Sequence, residues 1–250
     1  MTRAFGVDVG GTGIKAGIVD TVSGELLSER VKMQTPAGAR PGDVISAILA
    51  LRDELPGADA LPTGVCVPAI VHDGVTRSAA NISDEWIDYS AAEHFSAALG
   101  TEVTVLNDAD AAGEAELSSG AAHGLDGLTI LTTLGTGIGS ALIYDGVLIP
   151  NSELGHLEIG GVVAESMASH AAKKRDELDW AEWAQRLDSY YGHLEQYFSP
   201  QRFIVGGGVS KYHEDFLPLL TLATPFAPAR HRNLAGIIGA ASAVVHRGTR

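Results

Sequence analysis

The chain has 250 residues, 45% of them hydrophobic and 19% charged, which is enough apolar content to bury a core and unlike the composition of a disordered chain. Its 31 acidic and 17 basic residues give a net charge of −14, which argues against nucleic acid or an anionic membrane surface as partner and makes any phosphate binding local. The single cysteine excludes an internal disulfide and a multi-cysteine metal site, and no apolar run reaches the roughly 20 residues needed to span a bilayer.

A strand-like run at residues 5–9 begins so near Met1 that no leader peptide is expected, and with it a cytoplasmic location. It runs into Asp8-Val9-Gly10-Gly11-Thr12-Gly13-Ile14-Lys15, and residues 16–20 and 25–32 read as further strands, with Ser23-Gly24 as a turn. Pro41 and Asp43 open a helical pattern carried by Val44, Ile45, Ile48, Leu49 and Leu55. A strand at 61–69 contains Cys66, read as a small buried residue. An amphipathic helix at 90–99 precedes a strand at 102–106, which stops at Asn107-Asp108 before a helix at 109–117.

The second half repeats this order with an insertion. Strands at 128–133 and 140–144 enclose Leu134-Gly135-Thr136-Gly137-Ile138-Gly139-Ser140, with Asp145-Gly146 turning the chain into Val147-Leu148-Ile149. Residues 165–198 read as a helical region whose aromatic residues at helical spacing suit a core. A strand at 202–205 ends in Gly206-Gly207-Gly208, and helices are expected at 214–222 and 235–246. The repeated Gly-Thr-Gly-Ile hairpin implies an α/β protein of two similar domains flanking a cleft: residues 1–107 with the C-terminal helix 235–250, and residues 108–234 with the helical insertion. In copy two, Thr132 is read as standing where copy one has Asp8.

A glycine-rich turn lets backbone N–H groups approach a phosphate and form an anion-binding concavity without net positive charge. In the first copy Thr12 adds a hydroxyl, Lys15 a cation and Asp8 a carboxylate. The spacing is not that of the P-loop, and no helix follows the turn. Asn107-Asp108 stands at a strand end, where open α/β sheets place ligands, though a carboxylate there also suits a helix cap.

Asp8 to Lys15, Asn107-Asp108-Ala109, Leu134 to Gly139 and Gly206 to Ser210 occur in the order seen in sugar kinases of the actin-like ATPase superfamily, and Glu153-Leu154-Gly155-His156 resembles the repressor/ORF/kinase (ROK) family. The resemblance covers essentially the whole chain and implies two actin-like, ribonuclease H-like α/β domains. Residues 157–166 lack the cysteine cluster that binds zinc in most members, so no zinc site is expected at His156. Asn151 to Ile159 and Asp179 to Trp183 are similar to the polyphosphate-using glucokinases of the family.

On this resemblance Asp108 is the general base for the 6-hydroxyl of glucose, and Asn81, Asn107, Asp108, Glu153, His156 and Glu165 bind the sugar. Asp8, Gly10, Gly11, Thr12, Gly13, Lys15, Gly135, Thr136 and Gly137 hold donor phosphates, Gly207 and Gly208 belong to a nucleotide loop, and Asp8 positions Mg²⁺ through water. The donor is polyphosphate, ATP or both, and Lys15, Lys173, Lys174, Arg175 and Lys211 are available for a basic track. An ATP-only glucokinase, a mannose or fructose kinase and, more distantly, a sugar-responsive repressor are the other readings. A homodimer, with the aromatic helical insertion as its face, and domain closure around glucose are expected.

Overall fold

The computed structural model describes residues 3–247. In chain order, β1 (Arg3–Val9), β2 (Gly13–Asp20), β3 (Glu25–Leu26) and β4 (Val31–Gln34) precede α1 (Pro41–Asp53), β5 (Thr63–Val67), β6 (Val71–His72) and β7 (Val75–Thr76). Next come α2 (Ala91–Leu99), β8 (Val103–Asn107) and α3 (Asp108–Ser119). The second half contains β9 (Leu128–Leu134), β10 (Ile138–Tyr144), β11 (Val147–Ile149), β12 (Glu158–Ile159) and β13 (Val162–Val163). Helices α4 (Ala164–Ala168), α5 (His170–Arg175) and α6 (Trp180–Phe198), then β14 (Arg202–Gly206), α7 (His213–Phe216), β15 (Phe226–Pro228) and α8 (Ala235–Arg247) complete it. The last three residues of the expected helix 235–250 lie outside the described residues.

The chain forms two compact units: Met1–Ser119 with Leu234–Arg250, and Gly120–Asn233. The division falls after α3, one helix beyond the expected boundary at 107/108, because α3 packs chiefly on α8. Both sheets follow one plan. In the first unit the order is β3-β2-β1-β5-β8, with β4 also on β2; in the second it is β11-β10-β9-β14-β15. An antiparallel hairpin thus forms one side of each sheet, and parallel strands reached by helical crossovers form the other.

In the first unit every residue of β5 is buried, as expected of a parallel strand covered on both faces. Phe5, Val7, Ile48, Leu51, Val65, Trp86 and Phe95 belong to the core on one face, each large side chain contributing about 1.5–3 kcal/mol of burial. The Trp86 indole N–H donates to the Ala39 carbonyl at 2.8 Å, so this ring enters the core with its donor satisfied. On the other face lies α8, whose small residues allow close approach: a Cβ on Gly6 or Gly64 would run into the Ile237 or Ala240 carbonyl.

The second unit buries Ile130, Leu134, Trp183, Leu187, Tyr190, Tyr191, Phe203 and Phe216 together, so Trp183, Tyr190 and Tyr191 of the insertion are interior, Trp180 and Phe198 pack against them, and Tyr197 is exposed. The expected single helical region at 165–198 is three helices. Ser169 accepts from the Ala172 N–H at 3.1 Å and restarts the chain as α5, and Asp179 with Glu182 forms a capping box that starts α6. The helix expected at 214–222 ends at Phe216, followed by a 3-10 turn containing Pro218. The strand expected at 25–32 is likewise two short strands, both paired with β2.

Candidate active site

In the first unit the site is built at the carboxyl ends of β1, β5 and β8. Asp8 lies opposite Lys15 across the hairpin, and the Lys15 ammonium donates to Asp8 Oδ2 at 2.8 Å. Asp8 is also the parallel partner of Cys66, itself the partner of Leu106, so the three lie in one row across the sheet. The Cys66 thiol is fully buried, 3.8 Å from Asp8 Oδ1 and 3.6 Å from the Gly236 carbonyl. Burial pushes its pKa well up, and the charges of Asp8 and then Asp108 push it further. That places two carboxylates, the expected phosphate ligand and the expected base, within electrostatic reach of one buried sulfur.

The first turn is closed by the Gly10 N–H donating to the Gly13 carbonyl at 3.0 Å, and the Thr35 hydroxyl donates to the Gly10 carbonyl. Asn81 adopts a left-handed φ of 59° and brings its backbone against Gly11, where a Cβ would stand 2.9 Å from the Asn81 carbonyl oxygen. Asn81 therefore sits beside the first glycine hairpin. Asn107 is buried, and its side chain serves the backbone: Oδ1 accepts from the N–H groups of Ala109 at 2.7 Å and Asp110 at 3.2 Å, and Nδ2 donates to the Ala69 carbonyl. It is the cap of α3. Asp108 is exposed at the first position of α3, with Oδ1 accepting from the Ala109 N–H at 2.9 Å. Asn107 thus holds the helix end that carries Asp108.

In the second unit the Gly135 N–H closes the turn on the Gly137 carbonyl at 3.0 Å, and the Ala171 N–H of α5 donates to the Gly135 carbonyl at 3.0 Å. Glu165, from α4, reaches the same turn: its Oε2 accepts from the Ile138 N–H at 3.1 Å, and a Cβ on Gly137 would collide with that oxygen. The imidazole of His156 lies between two carboxylates, Nδ1 3.8 Å from Glu153 Oε2 and Nε2 3.8 Å from Glu165 Oε1. Burial raises the Glu153 pKa, offset by His156 and raised further by Glu165. Gly207, at φ 79°, lies against the end of β9, where a Cβ would stand 2.6 Å from the Leu134 carbonyl oxygen. The Ser210 hydroxyl holds this loop by donating to the Gly207 carbonyl at 2.9 Å.

Residues 4–172 of the chain that carries these two groups of residues match the model of the ROK family. The chain belongs to the ROK family. Polyphosphate glucokinase of Mycobacterium tuberculosis is 45% identical to it over 244 residues, 97% of this chain and 91% of the relative. The crystal structure of inorganic polyphosphate/ATP-glucomannokinase from Arthrobacter sp. strain KM is 48% identical and superimposes with a TM-score of 0.93, covering 99% of this chain and 100% of that one. A ROK family glucokinase from Streptomyces griseus, solved with glucose and AMPPNP, is 25% identical with a TM-score of 0.80, covering 98% and 99%.

Within this ROK chain the first unit brings Asp8, Lys15, Gly11 and Asn81 to one hairpin, with Asp108 close enough to act on the same thiol. The second brings Glu153, His156, Glu165 and the turn of Gly135, Thr136 and Gly137 together. Asp8 offers one hard carboxylate, and no group of three or more His, Cys, Asp or Glu side chains poised for a metal occurs among the described residues. This set fits Mg²⁺, which keeps its waters and takes substrate phosphates in place of a protein cage. No helix among the described residues is long and apolar enough to cross a membrane.

Two contributors escaped the sequence reading. Ser140 and Ser152 exchange hydrogen bonds, each hydroxyl donating to the other's carbonyl at 2.8 and 2.9 Å, and the Leu154 N–H donates to Ser140 Oγ at 3.0 Å. They pin the segment bearing Glu153 and His156 to β10. The only local hint was a serine inside an apolar strand. The other is Cys66, whose place beside Asp8 follows from strand register alone.

Proposed function

We propose that this chain is a glucokinase that transfers the terminal phosphoryl group of inorganic polyphosphate, and of ATP, to the 6-hydroxyl of glucose. The observation that carries this reading is near full-length identity of 45% to a polyphosphate glucokinase and 48% to a polyphosphate/ATP-glucomannokinase. The second name adds mannose as an acceptor to be tested, since the two sugars differ at one hydroxyl.

Phosphoryl transfer asks little covalent work of a protein, so positioning and charge carry it. Glu153, His156 and Glu165 supply acceptors and a ring nitrogen suited to sugar hydroxyls, each of which both donates and accepts. Asn81 supplies a further contact, while Asn107 acts through the cap that orients Asp108. Asp108 accepts the 6-hydroxyl proton as that oxygen bonds to the terminal phosphorus, and the bond from that phosphorus to the bridging oxygen breaks, leaving a donor one phosphate shorter. The turn amides of Gly11, Thr12, Thr136 and Gly137 hold phosphate oxygens, with Gly10, Gly13 and Gly135 shaping the turns. Lys15 neutralises phosphate charge, and Gly207 and Gly208 accommodate the nucleotide when ATP is used. Mg²⁺ would be positioned by Asp8 through water and would supply charge neutralisation on the transferring group. The enzyme works in the cytoplasm as a homodimer.

Coupled assays of glucose 6-phosphate formation test the reading, with polyphosphate or ATP as donor and glucose or mannose as acceptor. Turnover of glucose with both donors is expected, and ATP turnover without polyphosphate turnover would sink the donor assignment. Asp108→Asn should retain glucose binding while kcat falls about 10²–10⁴-fold.

A further inference from the structure

Five cationic residues were available for a basic track, and the structure treats them differently. Lys15 is paired with Asp8. Arg175 is clamped, its guanidinium donating to both oxygens of Asp176 at 2.7 and 2.9 Å and to the Ser166 carbonyl. Lys173, Lys174 and Lys211 have no carboxylate partner among the described residues. Among the nearby acids, Asp176 also takes Arg186 at 2.6 Å and Asp179 and Glu182 cap α6, while Glu177, Glu214 and Asp215 form no ion pair with the three lysines.

The three lysines converge from two segments of the second unit. Spacing of three and four residues puts Lys173 and Lys174 on the same face of α5 as His170. Lys173 lies 4.2 Å over the Trp180 ring, Trp180 is 5.7 Å from Tyr212, and Lys211 lies 4.6 Å over Tyr212. The order along this strip is cation, ring, ring, cation; Lys173 also donates to the Leu178 carbonyl, and neither ring nor carbonyl neutralises an ammonium group. Their combined field is felt at His170, whose pKa is lowered by burial first and then by Lys174, Lys173 and Lys211. The strip starts at phosphate machinery: the residue after His170 donates to the Gly135 carbonyl, and Lys211 lies in the turn that follows Gly206-Gly207-Gly208. On a chain of net charge −14 this brings together three ammonium groups with no carboxylate in salt-bridge contact.

We propose that Lys173 and Lys211, set against the rings of Trp180 and Tyr212, form with Lys174 the surface along which inorganic polyphosphate lies beyond the phosphates at the reaction centre. The proposal rests on the polyphosphate-donor reading and gives it an address. A linear polyanion carries charge on every phosphate, so it gains from a row of unpaired cations spaced along a surface. ATP ends after three phosphates and gains less from them.

The test is calorimetric titration of the intact protein with long-chain sodium polyphosphate, and separately with ATP, in the absence of glucose. Lys174→Gln with Lys211→Gln should raise the dissociation constant for polyphosphate about tenfold, the scale of two partly solvated charge contacts, and that for ATP by a smaller factor. Lys173→Arg, which keeps a cation over Trp180, should bind polyphosphate like the parent. Arg3→Gln with Arg30→Gln removes the same charge from exposed sites in the first unit and should leave polyphosphate binding unchanged. Equal weakening by the Arg3 and Arg30 pair would reduce the effect to net charge and overturn the proposal. Undiminished polyphosphate binding in the double lysine variant, no polyphosphate binding by the parent, or an equal loss of ATP binding would each overturn it as well. Turnover separates this from the donor reading: a parent protein that binds polyphosphate through the strip without forming glucose 6-phosphate defeats that reading and leaves the strip standing.

Discussion

Four residues, Gly10 to Gly13, lie between the paired ends Val9 and Ile14 of the first hairpin, and three, Gly135 to Gly137, lie between Leu134 and Ile138 of the second. Aligned without a gap, the copies set Thr132 against Asp8; aligned by the strands that carry them, the counterpart of Asp8 is Thr133. The register agrees, since Asp8 faces Lys15 and Thr133 faces Gly139. One copy thus carries a carboxylate and an ammonium 2.8 Å apart, and the other a hydroxyl facing a glycine. Thr132 points into the interior, where its hydroxyl shares a 2.6 Å hydrogen bond with the buried Tyr191 phenol. The second turn instead takes its charge from outside the hairpin, through Glu165 on the Ile138 N–H. A difference of one residue in loop length changes which side chains flank the turn, and a shared motif thereby serves two ends: a charge pair at the first copy, a backbone scaffold that holds Glu165 at the second.

The largest expected effect tests that division. Asp8→Asn, which keeps size and removes charge, should lower kcat about 10²–10³-fold, while Thr133→Val should leave kcat close to that of the parent. Similar losses from both in steady-state assays would erase the distinction between the hairpins. A smaller effect is expected at Thr132. Thr132→Val strands the Tyr191 hydroxyl, costing about 1–3 kcal/mol in urea unfolding, and Thr132→Val with Tyr191→Phe should recover much of it. Thr132→Val that slows turnover without loss of stability would return Thr132 to the active site.

The smallest effect concerns Glu153. Its folded pKa lies above its unfolded value, with burial the main cause, so the ionised form is disfavoured in the native state. Protonated Glu153 carries no such penalty below the ordinary carboxylate range, and the penalty develops as pH rises through the raised value. Glu153→Gln should therefore melt like the parent near pH 3 and above it at pH 7, while its KM for glucose rises. A stability gain that shrinks as pH rises would contradict the assignment.

Much of the fold was legible because its signals are local. Apolar runs ending in glycine turns marked β1, β9 and β14, and Pro41 marked the first turn of α1. The helical insertion was less so: Ser169 and Asp179 break it into three by capping, a choice between side-chain and backbone partners that helical periodicity does not reveal. Asn107 shows the same limit within the candidate site, since a polar residue at a strand end suits a ligand and a helix cap equally, and the backbone of α3 takes it.

By itself, then, the sequence determined where the chain turns tightly around glycine and which polar residues stand at strand ends, since steric freedom and hydrophobic period act over a few residues. Only the tertiary structure decided that Thr133 replaces Asp8, that Cys66 lies beside it, and that His156 sits between Glu153 and Glu165. It also decided that three lysines have no carboxylate within salt-bridge distance while Arg175 and Lys15 each have one. Those outcomes depend on strand register and on which distant segments pack together, and register is set by the sheet as a whole.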